Sequence, residues 1–249
     1  MRSMAGGIGG VLLLVASSTA SGQIYPRWFL FPDEIPCPVC AIGVAPTPYY
    51  PDSSGGEAFI SAVQNYLHSN EATIEGTKEY GATTDGMTAV STSVCETIDS
   101  SRFEGLSKTL KLFDLKSIGG MTIALAGEGS CAVPDSLKTP ILVSASTPSW
   151  LAILPQDARY YYAVGMSEPA YYESSAWLES EKHARLELAK SVRSTVRGLD
   201  RLETGSSGAE AYSSVQDEKI SVTLHEAQVV RRWRDLQARL YVILIRMPR

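Results

Sequence analysis

The 249-residue sequence predicts an α+β fold of two tandem modules. Each module is a helix packed on a small, mainly antiparallel sheet, in the order strand, helix, strand, strand. Three observations predict it: the chain matches itself at a constant spacing, one long stretch has helical periodicity, and short apolar runs lie between turn residues.

The self-match sets "PRWFLFPDEIPCPVCAIGVAPTPYY" from Pro26 against "PSWLAILPQDARYYYAVGMSEPAYY" from Pro148. Pro26, Trp28, Ala41, Gly43, Tyr49 and Tyr50 fall opposite Pro148, Trp150, Ala163, Gly165, Tyr171 and Tyr172, all at one spacing (150 − 28 = 122). The spacing continues through Ser53/Ser175, Glu57/Glu179, Ala62/Ala184 and Thr73/Thr195 to Gly76/Gly198. A long gapless match of this kind is read as a tandem duplication. The tails agree more loosely. "LKLFDLKSIGGMTIALA" from Leu110 resembles "VRRWRDLQARLYVILI" from Val230, pairing Phe113 with Trp233 and Met121 with Tyr241 (241 − 121 = 120). Each module then has an ordinary domain size of about 100 residues.

The elements follow in order. "YYYAVGM", from Tyr160, is a continuous apolar and aromatic run that suits a buried strand. After the loop "SEPAYYESS", Ala176, Ser180, Ala184, Leu188 and Val192 recur at four-residue spacing and mark one face of a helix. Glu179, Glu181, Lys182, Arg185 and Lys190 fall mostly elsewhere, as a solvated face would. Ser174 or Ser175 can cap the start, and Gly198 can supply the left-handed residue that ends the helix. "KISVTLHEAQVVRRWRD" and "ARLYVILIR" read as strands with a turn near Asp235 to Ala238. The first module repeats this with a weaker helix, Ser54 to Glu75, which contains Gly55 and Gly56. The expected organisation is a signal over 1–22, a cysteine-containing module over 23–133, a connection over 134–147 and a second module over 148–249.

The signal is expected from Arg2, the apolar run Val11 to Val15 and the small residues ending Ala20-Ser21-Gly22. Cleavage would leave Gln23 first. A bacterial lipoprotein signal would place a cysteine there, and the first cysteine is Cys37, so no such lipid anchor is expected. No segment reaches membrane-spanning length. Export to the periplasm or beyond makes the four cysteines Cys37, Cys40, Cys95 and Cys131 disulfide candidates, with three connectivities open. The motif "CPVC" could also be a redox pair, or could join Cys95 and Cys131 around a metal. Against redox chemistry, Cys40 aligns with Tyr162, just ahead of a strand, so no helix begins at the motif to stabilise a thiolate.

A formal charge of −5 and a pI near 5.3 give no reason to expect a nucleic-acid partner, and none is expected. No nucleophile elbow, zinc-protease, phosphate-loop or dinucleotide motif occurs. His68, His183 and His225 have no metal-ligand spacing among themselves, and carboxylate pairs such as Asp33/Glu34 and Glu179/Glu181 are uninformative. No catalytic residue, cofactor or metal is therefore expected. The interaction candidates are Tyr171 and Tyr172 with their counterparts Tyr49 and Tyr50, and the basic run Arg232, Trp233 and Arg234. The tyrosines precede each helix, where they would lock helix onto sheet with one ring left exposed. The arginines read as a strand edge blunted by charge, or as a protein-binding patch.

The pattern "PSW…YYYAVGMS…ESEKHARLELAKSV…LYVIL" resembles the envelope small-lipoprotein-antigen family, which includes flagellar ring and disk accessory proteins. The resemblance covers most of Pro148 to Ile245, through Trp150, Ala163-Val164-Gly165, Ala184-Arg185, Leu188-Ala189, Trp233 and Tyr241. The first module resembles it more weakly, through Trp28, Gly43 and Ala62. The resemblance implies a non-enzymatic envelope component that works by docking and assembly, with envelope proteins or further copies of itself as partners. The missing lipid anchor leaves only peripheral association with the outer membrane. The sequence alternatives are a glycan- or peptide-binding module and a thiol–disulfide oxidoreductase using Cys37 and Cys40.

Overall fold

A computed structural model describes residues 23–37, 39–47, 53–83, 86–203 and 218–249. The expected signal and two of the interaction candidates, Tyr49 and Tyr50, lie outside the described residues. The chain starts with β1 (Ile24–Pro26) and the single turn α1 (Arg27–Leu30), followed by β2 (Cys40–Pro46), α2 (Ser54–Asn70), β3 (Glu71–Thr83) and β4 (Gly86–Thr97). After α3 (Phe103–Thr109) come β5 (Lys111–Ile118) and β6 (Met121–Gly127). Next are α4 (Asp135–Lys138), β7 (Pro140–Leu142), the single turn α5 (Ser149–Ala152), β8 (Tyr160–Ser167) and α6 (Glu173–Glu203). The chain closes with β9 (Glu218–His225), β10 (Gln228–Asp235) and β11 (Leu240–Pro248). The fold is α+β, and all its sheets are antiparallel.

Two of these sheets share a plan. One has the order β2-β6-β5 and carries α2; the other has the order β8-β11-β10 and carries α6. In each, a strand leads into a helix, and a later hairpin adds its second strand beside the first. Helix and sheet meet at a glycine. A Cβ on Gly43 would lie 2.7 Å from the Ala62 Cα, and a Cβ on Gly165 would lie 2.7 Å from the Ala184 Cα. Both would also collide with helix backbone at Ala58 and Ser180, respectively. All three pairs of positions are 122 apart. Only glycine lets the helix approach this closely, because any side chain here would be forced into main-chain atoms that cannot move aside.

Across the sheet the strands set up matching rows. Gly43 pairs with Ala124, which pairs with Leu115; Gly165 pairs with Ile243, which pairs with Arg232. The central strands therefore correspond at 243 − 124 = 119 and the edge strands at 232 − 115 = 117, not at the 120 expected from aligning Phe113 with Trp233. The difference comes from unequal turns and from bulges at different places, between Leu112 and Asp114 in β5 and between Val229 and Arg231 in β10. Gly119 and Gly120 close the first hairpin with φ of 58° and 85°, whereas a longer turn closes the second.

The correspondence of secondary structure ends at α2. The expected helix over Ser54 to Glu75 stops at Asn70, and Gly76 lies inside β3, opposite Val94 and Ile220. Gly198 does not end its helix either, because α6 continues to Glu203. The N-terminal cap differs as well: α6 begins at Glu173, ahead of Ser174 and Ser175. The expected strand "KISVTLHEAQVVRRWRD" is two strands, separated at Glu226, where φ is 55°. Of these, β9 leaves its own half and pairs with β3, in a third sheet of order β4-β3-β9. Part of the expected connection is ordered too: β7 pairs with β1, Ile24 opposite Leu142. One buried core runs through both halves, joining Trp28, Phe29 and Ile42 to Trp177, Leu188 and Ile243. Among the described residues, no helix is long and apolar enough to cross a membrane.

Candidate functional site

The N-terminal segment builds the junction between the halves. Pro26 precedes α1, and the single turn is closed by Phe31 N–H donating to Arg27 O at 2.9 Å. It sets Phe29 edge-on against Trp177, with ring centroids 5.3 Å apart, and beneath the guanidinium of Arg232 at 4.6 Å. Arg232 also donates to Phe29 O at 3.0 Å and to Glu181 at 2.6 Å. Phe31 lies under Arg231, and Arg231 pairs with Asp33. Tyr25 and Gln23 both donate to Glu173 at the start of α6.

Behind this contact lies a buried ionic chain. Glu181 accepts from Arg232 and lies 3.8 Å from Arg185, which grips both oxygens of Glu96 at 2.8 and 2.9 Å. His68 Nδ1 is 3.4 Å from Glu96 Oε2. Burial first, then the charge of Arg185, holds the His68 imidazole below its ordinary pKa against the pull of Glu96. Burial pushes Glu96 up, but the hydrogen bonds and charge of Arg185 outweigh it and hold the carboxyl below its usual range. The expectation that Glu181 and Arg185 lie on a solvated helix face is therefore corrected: both are buried. Trp177, Glu181 and Arg185 form a second four-residue stripe beside the small-residue stripe. The signal was present in that spacing, but a buried ion pair and a surface ion pair look alike at i, i+4.

The basic run is spent on this junction. Arg232 is 5% exposed, Trp233 donates its indole N–H to Ser144 O at 2.9 Å, and Arg234 lies over the Tyr241 ring and 3.6 Å from Glu173. These residues hold the chain to itself, which corrects their reading as a free binding patch; β10 is an edge strand, but one covered by the α1 segment. His183 meets Glu179 at 3.2 Å as its spacing suggests.

Cys37 and Cys131 form a disulfide, with Cα atoms 5.7 Å apart, across 94 residues of sequence. Cys40 and Cys95 are free. The C-x-x-C is thus split: its first cysteine bonds elsewhere, and burial pushes the Cys40 thiol up to about 11. Cys37, Cys40, Glu181, Arg185, Arg232 and Arg246 line a cavity of about 170 Å3 at the junction. Among the described residues, no three His, Cys, Asp or Glu side chains gather as metal ligands would.

The tyrosines of the loop ahead of α6 are on the outside. Tyr171 is 93% exposed and stands edge-on to the half-exposed Tyr172, with centroids 4.7 Å apart. They do not lock the helix to the sheet; Trp177, one turn later, does that. Other exposed apolar groups lie on β5 (Leu112, Leu115), on β7 (Leu142) and just after α5 (Ile153, Leu154). No protein-family model, curated protein or solved structure matches this chain.

Proposed function

We infer that this is an exported envelope protein, periplasmic or associated with the outer membrane, that acts in structure or assembly by docking to other proteins and performs no chemistry. The observation that carries the reading is the division of its groups. The charged residues suited to chemistry are buried and paired with one another, while the aromatic and aliphatic groups Tyr171, Tyr172, Leu115, Leu142 and Ile153 face solvent. Tyrosine is enriched among the residues that carry protein–protein binding energy, and Tyr171 and Tyr172 stand together on the surface. The resemblance of Pro148 to Ile245 to the envelope small-lipoprotein-antigen family supports the same reading, and the 122-residue spacing supports an origin by duplication. Crosslinking in the native cell, combined with fractionation, tests it. The expected result is an envelope location and crosslinked protein partners. A cytoplasmic protein, or one with no partner, would contradict it.

The exposed tyrosine pair favours one second reading, a glycan- or peptide-binding module. Quenching of tyrosine fluorescence by peptidoglycan fragments, lost in Tyr171→Ala, would promote that reading over assembly.

A further inference from the structure

The cavity at the junction carries more positive charge than its surroundings neutralise. Three guanidinium groups line it: Arg185 and Arg232, both buried, and the partly buried Arg246. Each carboxylate around them already has a guanidinium of its own. Arg185 grips Glu96 at 2.8 and 2.9 Å, Arg232 donates to Glu181 at 2.6 Å, and Arg231 pairs with Asp33. Arg246 is left over. Its guanidinium lies over the Tyr160 ring at 4.9 Å, and among the described residues no carboxylate pairs with it. Asp157 is near enough to feel its charge, but Arg159 already holds that carboxylate at 3.1 and 2.8 Å. The surplus is felt on the neighbouring strand as well: burial first, then the charge of Arg246, holds the Arg231 guanidinium below its usual pKa.

Two hydrogen-bond donors are also left over on the same cavity wall. The Nε–H groups of Arg232 and Arg246 are buried and have no acceptor. A buried donor without an acceptor is costly and uncommon. Two of them beside one unneutralised charge call for an anion with more than one acceptor atom. Size and lining narrow its class. About 170 Å3 holds several water-sized groups, and it is smaller than the roughly 300 Å3 at which drug-sized sites begin. Ile35, Ile42 and Val229 make part of the wall apolar. One surplus charge matches a carboxylate better than a doubly charged phosphate or sulfate, and paired carboxylate oxygens suit guanidinium donors.

We propose that the junction cavity binds a short aliphatic monocarboxylate, its oxygens accepting from the Nε–H groups of Arg232 and Arg246 and its chain resting against Ile35, Ile42 and Val229. The ligand would neutralise the one unpaired guanidinium and satisfy both donors at once. It would also bridge the halves, since Ile42 belongs to β2 and Arg232 to β10. The site goes beyond the assembly reading above and does not depend on it.

The test is isothermal titration of the chain without residues 1–22 with sodium butyrate, chloride keeping the ionic strength constant. One saturable site per chain is expected, with a melting temperature that rises as butyrate is added. Arg246→Gln breaks no ion pair, so it should fold and yet bind at least about tenfold more weakly. Arg246→Lys keeps the charge without the Nε–H and should also bind more weakly than the parent. Arg239→Gln makes the same charge change as Arg246→Gln at an exposed position and should bind as the parent does. The absence of a saturable site, as in a cavity that holds only water, would overturn the proposal. So would undiminished binding in Arg246→Gln, or an equal loss in Arg239→Gln. Full affinity in Arg246→Lys would overturn the assigned hydrogen bond, and tighter binding of sulfate or phosphate than of butyrate would overturn the carboxylate assignment.

Discussion

The edge strands β5 and β10 occupy the same place in sheets of the same order, yet Arg232 on one is covered and Leu115 on the other is exposed. In β10, Arg232 is buried between the α1 segment and α6, and in β5 the corresponding Leu115 lies open beside Gly55. The difference lies in what covers the strand rather than in the strand. The chain before the first sheet reaches across to Arg232 on the second, whereas the chain before the second sheet packs Trp150 and Leu151 on the core and leaves Ile153 exposed.

Breaking the covered site should cost most. Arg232→Met strands the Glu181 carboxylate inside the junction and is expected to cost about 3–5 kcal/mol in denaturant unfolding. Leu115→Ala at the corresponding place should cost less, about 1 kcal/mol, because the side chain is already partly exposed and its loss strands no charge. Equal losses would mean that the two edges are not differently covered. The glycines sharpen the comparison from the other side. Gly43→Ala and Gly165→Ala should each cost about 3 kcal/mol, since both drive a methyl into helix backbone. A large cost at only one would show that the two helix–sheet contacts are not equivalent.

Acid should loosen the junction in two steps. The folded His68 pKa lies below the ordinary 6.5, so the unfolded chain takes up that proton first and stability falls as the pH drops through 6.5 towards the folded value. The folded Glu96 pKa lies below the ordinary 4.5, so its contribution is present above 4.5 and is lost as the pH falls through the folded value. His68→Gln should remove the upper step of a melting-temperature profile and leave the lower one. Thiol reactivity gives the smallest signal. In the native protein Cys95 should react with a maleimide and Cys40 should not, because only Cys95 is exposed and Cys40 is held protonated. Rapid labelling of Cys40, or exchange activity towards a disulfide substrate, would revive the oxidoreductase reading.

The fold class was legible in the sequence, and so was the matched spacing of Gly43/Ala62 and Gly165/Ala184, but not that glycine meets helix backbone there. The limits were physical. Gly76 and Gly198 match in sequence but lie in a strand and a helix, since β3 is claimed by β4 and β9 from outside its own helix–sheet unit. Glu181 and Arg185 looked solvated because helical spacing shows only near neighbours, and the group that draws Glu181 inward, Arg232, is 51 residues away. The role of Arg232, Trp233 and Arg234 was hidden for the same reason: their partners Phe29, Ser144 and Glu173 are remote in sequence.

Hydrogen exchange of the chain without residues 1–22 tests the central claim most directly. Amides of β10, covered by the α1 segment and α6, should be strongly protected. Those of β5 beside the exposed Leu115 should exchange faster. Equal protection of the two edge strands would contradict the account.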